Sequence, residues 1–453
     1  MLLAGDPEGR LRGCGWAAGG LVALRGDMAA GPPGAAEVGV GQVVGFLAFV
    51  LAAVFGIHYY LWRRLVRGTT APGRNRRILT WTLIVLAGLL VVALIGTRVF
   101  PSEAGHALAW PGYLWLAIMF YLAVILLALE IPRAIALIAL RRRERKPSQA
   151  LPVPVPAGGA PPTHEIAPDE NPAMPQLDRR LFLSRTAAAV AGVGAIATVG
   201  YGMRTALGDP IIERVPVRLA RLDPRMNGFR IAVVSDIHLG PLTGINHTER
   251  IVRMINGLEA DIVAIVGDLV DGTVAELGPL ARPLRNLESR YGSYFVTGNH
   301  EYYTANGPKE WIDELNTLGV RSLRNERVEI AHAGATLDLA GVNDVNGTTM
   351  DDGPNMANAL TGRDTTRPVV LLSHQPVQVH DAARYGVDLQ LSGHTHGGQM
   401  APFNLIVPLQ QPVVQGLDVI DGTQIYVTRG AGFWGPPVRV GAPPEIALLE
   451  LHP

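Results

Sequence analysis

The sequence predicts an α/β domain in its C-terminal half, preceded by α-helical transmembrane segments. Two observations carry this. Three apolar runs of about 20 residues lie near the N-terminus, each long enough for a helix to cross ~30 Å of hydrocarbon. From about residue 230 onward, short runs rich in Val, Ile and Leu alternate with stretches of helical periodicity. That is the pattern of buried strands layered with helices.

The first run, residues 42–62, is apolar throughout and ends in aromatics; the second, residues 78–97, contains no charge; the third covers residues 111–129. Apolar character continues past Glu130, Pro132 and Arg133 to Leu140, which leaves the end of the third span open. Residues 63–77 carry Arg63, Arg64, Arg67, Arg74, Arg76 and Arg77, whereas residues 98–110 carry only Arg98. Arg141, Arg142, Arg143, Arg145 and Lys146 follow the third span. The positive-inside rule makes both basic segments cytoplasmic and the N-terminus external, in a multi-pass protein of the cell membrane.

The chain therefore divides into five parts. Residues 1–40 read as a Gly/Ala-rich, weakly ordered tail, with Met28 as an alternative start. Residues 41–140 hold the three helices, and residues 141–178 form a Pro-rich linker that cannot bury a core. Residues 179–205 start with Arg179-Arg180-Leu181-Phe182-Leu183 and continue into a Gly/Ala-rich apolar stretch. They resemble a twin-arginine export signal in an internal position, and equally a fourth span with basic residues on its cytoplasmic side. Either reading leaves residues 206–453 outside the cytoplasm.

Composition narrows the function. Basic and acidic residues balance at 39 each, so there is no global case for nucleic-acid binding and no nucleic-acid partner is predicted. The single cysteine, Cys14, excludes both a disulfide framework and a Cys-based zinc site. Nothing in the composition fixes an oligomeric state.

In the C-terminal domain, five apolar runs each end in residues able to bind metal. Residues 229–235 lead to Asp236-Ile237-His238, and 262–266 to Gly267-Asp268-Leu269-Val270-Asp271. Residues 293–297 lead to Gly298-Asn299-His300-Glu301, 369–372 to Ser373-His374, and 387–391 to Gly393-His394-Thr395-His396. Helical stretches at 248–258 and 310–318, the latter closed by Gly319, separate them. Ligands of open α/β sheets gather where strands end, so these side chains converge on one rim. Carboxylate oxygen and imidazole nitrogen suit divalent metals such as Mn²⁺, Fe²⁺ and Zn²⁺. A carboxylate such as Asp268 can bridge two ions, and two ions can clamp a phosphoryl oxygen.

D-x-H, G-D-x-x-D, G-N-H-E, H and G-H-T-H in this order resemble the signature of the calcineurin-like metallophosphoesterases. Apolar spans followed by such a domain resemble the family's transmembrane, bacterial branch. The resemblance implies two packed β-sheets flanked by helices and a binuclear, metal-dependent phosphoric ester hydrolase. Asp236, His238 and His396 would hold one divalent ion and Asn299, His374 and His394 the other, with Asp268 between them. His300 would be the general acid, oriented by Asp271. The substrate would be a phosphomonoester or phosphodiester. The membrane anchor, with the lipid bilayer as partner, favours a phospholipid or nucleotide–lipid headgroup. A catalytically idle metal-binding scaffold or sensor domain is the competing reading, against which stand the intact ligand set and His300.

Several residues admit plainer roles. Asn299 suits a turn, and Asp271 the cap of a following helix. Glu301 has no role derivable from the sequence. Asn343 and Asp344 follow another apolar run and are candidates to line the cleft; Arg429 and Arg439 suit either a phosphate or ion pairs in the core or at the surface. His247, His332, His380 and His452 fit no motif and are expected at the surface or in loops. Residues 397–409 are apolar and broken by Pro402 and Pro408. They read either as a strand with a packed loop or as a lip that meets an acyl chain or the membrane.

Overall fold

The computed structural model describes residues 40–99, 102–144, 179–304 and 306–453. The expected tail and linker lie outside these, apart from residue 40 and residues 141–144. The described residues fall into two compact units, those within 54–91 and 115–199, and those within 40–53, 92–114 and 200–453.

Helices α1 (Val40–Leu61), α2 (Arg74–Val99), α3 (Ser102–Glu144) and α4 (Arg179–Leu207) precede the C-terminal domain, and a π-helical turn, Trp62–Arg67, extends α1. Each of the four contains a segment long and apolar enough to cross a membrane: Ala48–Arg67, Arg74–Gly96, Ala107–Ile135 and Leu181–Leu207. The third helix thus runs well past the 111–129 core of its apolar run, and Gly105, Pro111, Gly112 and Pro132 lie within it without ending it. Within the first unit, Glu130 is not left bare. Arg64 Nε lies 2.7 Å and Arg133 Nη1 3.4 Å from its carboxylate, and the Tyr60 hydroxyl donates to it at 3.2 Å. Trp115 Nε1 reaches His58 Nε2 at 3.1 Å, and Arg185 Nε donates to the Thr69 carbonyl at 3.1 Å. An ionisable group near the end of a span is tolerated when it is paired in this way.

The second unit carries the strands. In chain order these are β1 (Ile211–Arg218), β2 (Phe229–Val234), β3 (Ile262–Val266), β4 (Ser293–Val296), β5 (Val320–Ser322) and β6 (Glu326–His332). They continue with β7 (Ala335–Gly341), β8 (Val369–Leu372), β9 (Leu389–Ser392), β10 (Gly416–Ile420), β11 (Thr423–Val427) and β12 (Glu445–His452). One six-stranded sheet has the order β1-β12-β2-β3-β4-β5 and the other β10-β11-β9-β8-β7-β6. β2 to β5 are mutually parallel, as are β7, β8, β9 and β11; antiparallel pairs occur at β12–β2, β6–β7 and β10–β11.

The two-residue period of the strands builds the layers. Ile262, Ala264 and Val266 of β3 join Ile231, Val233, Leu339, Val370, Leu372 and Leu391 in a buried cluster drawn from both sheets. The alternate residues Val263 and Ile265 face a second cluster with Ile251, Ile255, Trp311 and Leu315. The latter come from α5 (Ile245–Asn256) and, after α6 (Val274–Ala281), from α7 (Lys309–Thr317). Burying each such aliphatic or aromatic side chain contributes about 1.5–3 kcal/mol, so the double-sided burial of the central strands fixes the layer order. On the outer face of the second sheet, Ala340, Val369 and Leu371 meet α8 (Met356–Leu360) and α9 (Val379–Arg384). Two packed sheets flanked by helices are thus what the motifs lead one to expect. The parallel directions of β2, β3, β4, β8 and β9 bring their C-terminal ends, and the motifs that follow them, to one rim.

Residues 401–409 depart from the strand alternative. They form two short 3₁₀ turns, Phe403–Leu405 and Val407–Leu409, with no strand, since Pro402 and Pro408 lack the N–H groups a ladder needs.

Candidate metal centre

The chain leaves β2, β3 and β9 through tight, strained turns. Asp236, His238, Asp268, His394 and His396 all have left-handed backbones, with φ of 51°, 48°, 52°, 71° and 51°. Non-glycine residues adopt this region at a cost, and such positions cluster where the surrounding structure over-determines a functional geometry. Here the surroundings do so through glycine. A Cβ on Gly298 would overlap the carboxylate and backbone nitrogen of Asp268, and one on Gly393 would overlap Ser235 and the carboxylate of Asp236.

The side chains that follow meet in three overlapping clusters: Asp236, His238 and His396; His238, Asp268 and His300; and Asp268, His374 and His394. Ligand atoms within each lie inside 4.8 Å of one another. Asp268 Oδ2 is 3.2 Å from His374 Nε2 and 3.9 Å from His238 Nε2, which places it between the other two groups. His238 Nε2 faces His396 Nε2 at 3.0 Å, and His396 Nε2 lies 3.3 Å from Asp236 Oδ1. His394 Nδ1 faces the Asn299 Oδ1 atom at 2.8 Å. A buried ring nitrogen facing another ring nitrogen, beside carboxylate and amide oxygens, is an arrangement of lone pairs that a shared cation satisfies. His374 Nε2 is buried against the Asp268 carboxylate, while its Nδ1 is committed to the Val266 carbonyl at 2.8 Å. These donors fit divalent metal.

For His394 and His396 electrostatics point the same way. Burial, reinforced by the neighbouring His374, depresses His394 to about 3, and burial with His238 and Arg439 holds His396 well below its ordinary range. Both rings are therefore neutral, the form that ligates metal. Burial pushes the Asp236 carboxyl up, and the nearby Asp268 adds to this. At Asp268 itself burial is outweighed by His374 and His300, and the carboxyl sits well below its usual range. Burial also opposes the charged forms of His374 and His300, but the carboxylates win. His374 is raised by Asp268 and Asp236, and His300 rises to about 9 through Asp268 and Asp271.

Around the centre, one carboxylate oxygen, Asp271 Oδ1, contacts both His300 Nδ1 at 2.7 Å and His238 Nδ1 at 2.9 Å. Asp271 therefore does more than the sequence leads one to expect, because it steers a candidate ligand as well as His300. Glu301, without a role in the sequence reading, accepts from the backbone N–H groups of Gly298, Asp268 and Leu269 at 2.6, 3.1 and 2.8 Å. It ties the β3 and β4 turns together. Burial, then Asp268, raises it to about 7.

Other residues fall elsewhere. Asp344 is buried, accepts from Gln375 Nε2 and the Asn346 N–H, and is raised to about 6 chiefly by burial. Asn343 is tied to Asp352. Arg429 pairs with Glu445 and Glu213. Arg439 is fully buried and is spent on the carbonyls of Gly432, His396, Ala442, Arg429 and Gly430 and on His396 Nδ1 at 3.1 Å. It buttresses a candidate ligand and does not face a phosphate. His247, expected at the surface or in a loop, is buried in the first turn of α5. Trp434 and Tyr303, which no motif marks, flank His300 at ring distances of 6.3 and 5.3 Å.

The family described as calcineurin-like phosphoesterase matches residues 229–398, which contain every candidate ligand. The bovine "Transmembrane protein with metallophosphoesterase domain" is 41% identical over 263 residues, 55% of this chain and 59% of that protein. An uncharacterised metallophosphoesterase of Helicobacter pylori strain J99 is 41% identical over 264 residues, 57% of this chain and 69% of the relative. Among solved structures, a dimetal phosphatase from Danio rerio is similar over 50% of this chain and 93% of that one, at 12% identity and a TM-score of 0.34. With the ordered motifs on five strand ends and a relative matched over most of its length, the chain belongs to the calcineurin-like metallophosphoesterase family.

Proposed function

We propose that the chain is a membrane-anchored hydrolase of phosphomonoesters or phosphodiesters that works with two divalent cations on the extracytoplasmic face. The observation that carries this reading is the buried set of facing donors around Asp268. Asp236, His238 and His396 would hold one ion, Asn299, His374 and His394 the other, and Asp268 both. When bound, Mn²⁺, Fe²⁺ or Zn²⁺ would supply Lewis acidity to a phosphoryl oxygen and make water a nucleophile near neutral pH.

The remaining chemistry belongs to the chain. Hydrolysis adds water across the P–O bond, and the departing oxygen takes a proton. His300 offers that proton. Its Nδ1 is held by Asp271, which directs Nε2 toward the centre, 4.0 Å from Asp268 Oδ2. Arg439, Glu301 and Asp271 keep the ligands oriented, and the buried strand ends exclude bulk water from the donors. The extracytoplasmic placement rests on the arginine bias of the loops. The four apolar helices and the relatives named as transmembrane proteins suggest membrane association. A phospholipid or nucleotide–lipid headgroup is the substrate class the anchor favours.

The test is turnover of p-nitrophenyl phosphate and bis(p-nitrophenyl) phosphate by the full-length protein in detergent with Mn²⁺. Expected is hydrolysis of at least one ester, abolished by chelation. Two bound ions with no hydrolysis of either would favour the idle scaffold instead.

A further inference from the structure

The segment that follows the last candidate ligand carries no charge from Gly397 to Leu417. Its two 3₁₀ turns present Phe403, Leu405, Ile406 and Leu409 to the outside, with Leu405 75% and Leu409 83% exposed. Scattered apolar residues at a surface mean little, whereas a contiguous uncharged patch marks an interaction site. This patch is fixed beside the metal centre. A Cβ on Gly398 would overlap Asn404, so the loop folds directly over the turn behind His396. The Ala401 N–H donates to the Val440 carbonyl at 3.0 Å. Gln399 bonds both ways to the Trp434 backbone, at 2.9 and 3.0 Å, and the half-exposed Trp434 ring stands against His300.

The same 434–441 segment bears on the ends of two spans. The Arg439 N–H donates to the Gly202 carbonyl of α4 at 3.0 Å, and a Cβ on Gly202 would sit 2.5 Å from Val438. Gly435 lies beside the ring of Tyr113, early in α3. The apolar segment Leu181–Leu207 has 27 residues. At 1.5 Å per residue it is ~40 Å long against ~30 Å of hydrocarbon, so about 5 Å projects at each end. Gly202 is five residues from that end, ~7.5 Å along the axis, which sets it ~2–3 Å inside the edge of the hydrocarbon. Whatever is hydrogen-bonded there lies at the boundary between hydrocarbon and headgroups, where Trp is favoured. The apolar loop is joined to that segment.

We infer that residues 402–409, with Trp434, form a lip that enters the outer leaflet, and that the cleft takes the phosphoester headgroup of a lipid still seated in the bilayer. The second half of this inference rests on the phosphoesterase reading above; the first does not. Leu405, Ile406 and Leu409 occupy the acyl region, and a headgroup beside them lies next to His300 and the metal donors without the lipid leaving the membrane. A free, water-soluble headgroup gains nothing from the lip.

The test uses the full chain in lipid nanodiscs. In a Cys14→Ser background, Leu409→Cys and a control, Lys309→Cys, on the exposed face of α7, each carry an environment-sensitive fluorophore. Expected is several-fold stronger quenching at position 409 than at 309 by lipids bearing a nitroxide on the acyl chain. Equal quenching at both positions overturns the lip, whatever the activity. A second arm compares Leu405→Ser/Leu409→Ser with the parent on phospholipid mono- and diesters in the disc and on p-nitrophenyl phosphate in water. Expected is a drop of tenfold or more for the lipid and less than twofold for the soluble ester, with metal content unchanged. Equal losses on both, or a parent that cleaves the soluble ester but no bilayer-seated phosphoester, overturns the lipid substrate. A parent inactive on every ester but quenched at position 409 refutes the phosphoesterase reading and leaves the lip standing.

Discussion

Replacing His300 by alanine separates the roles that meet at Asp271. A positioned general acid contributes 10²–10⁴-fold, equivalent to about 3–5 kcal/mol of barrier. The His300 imidazole is held at 2.7 Å by Asp271 and is bound to no backbone group through its ring, so its removal leaves the facing donors in place. His300→Ala should lower kcat by roughly 10²-fold or more on an alkyl phosphoester, whose leaving oxygen needs a proton. On a nitrophenyl ester, whose leaving group departs unaided, the loss should be much smaller. Metal content should be unchanged. Asp271→Asn should behave differently, because the same oxygen also holds His238 at 2.9 Å. Carboxylates that orient a ligating histidine are typically worth 10–100-fold in metal affinity. This variant should therefore show weakened metal binding as well as a partial loss on alkyl esters at saturating metal. The assay is steady-state kinetics on matched alkyl and nitrophenyl esters, with metal titrations for each variant. Equal losses of His300→Ala on both esters would mean that His300 binds phosphate without donating a proton. Loss of metal in His300→Ala would move it among the ligands, as its cluster with His238 and Asp268 permits.

Asp268→Asn should reduce metal content at both sites, and Gly298→Ala should do the same by displacing the Asp268 carboxylate; unchanged metal analysis in either variant refutes the bridging assignment. His247, held near 4 by burial and by Arg250, gives stability a pH dependence of definite sign. Between pH 4 and its ordinary 6.5 the unfolded chain binds the extra proton, so stability is present above 6.5 and falls by up to ~3 kcal/mol as pH drops toward 4. His247→Gln should flatten the melting-temperature profile in that window, and parallel profiles for parent and variant contradict the argument. A reporter active only outside the cytoplasm, fused after Pro453, should give signal. Signal from a cytoplasm-only reporter at the same position overturns the topology, and persistence of export after Arg179→Lys with Arg180→Lys favours the plain fourth span.

The strands and their terminal motifs were legible because both rest on local rules. Five-residue aliphatic runs have few alternatives to a buried strand, and β3 and β8 fall at the residues their apolar runs mark. The convergence of Asp236, Asp268, Asn299, His374 and His394 follows from strand polarity alone. What local rules miss is set by distant contacts. Glu301 acquires its role only when the turns after β3 and β4 lie side by side, and Arg439 only when a loop over forty residues after His396 returns beneath it. His247 is polar and sits at a helix start, which favours exposure until the helix packs on the sheet. The 401–409 loop has strand-like composition, and only its prolines argue against a ladder.

The donors around Asp268 come from both halves of the sandwich. Asp236, His238, Asp268 and Asn299 follow strands of one sheet, whereas His374, His394 and His396 follow strands of the other. Each proposed ion would then act as a clasp between layers that are otherwise joined by apolar packing and a few polar links, such as that of His374 to the Val266 carbonyl. A cation that binds only the closed sandwich adds about 2.7 kcal/mol to its stability at one hundred times its dissociation constant. Metal supply would thus govern how long the protein survives as well as whether it reacts. A chain that folds before it meets its ions would spend that interval with its two sheets unclasped at the rim.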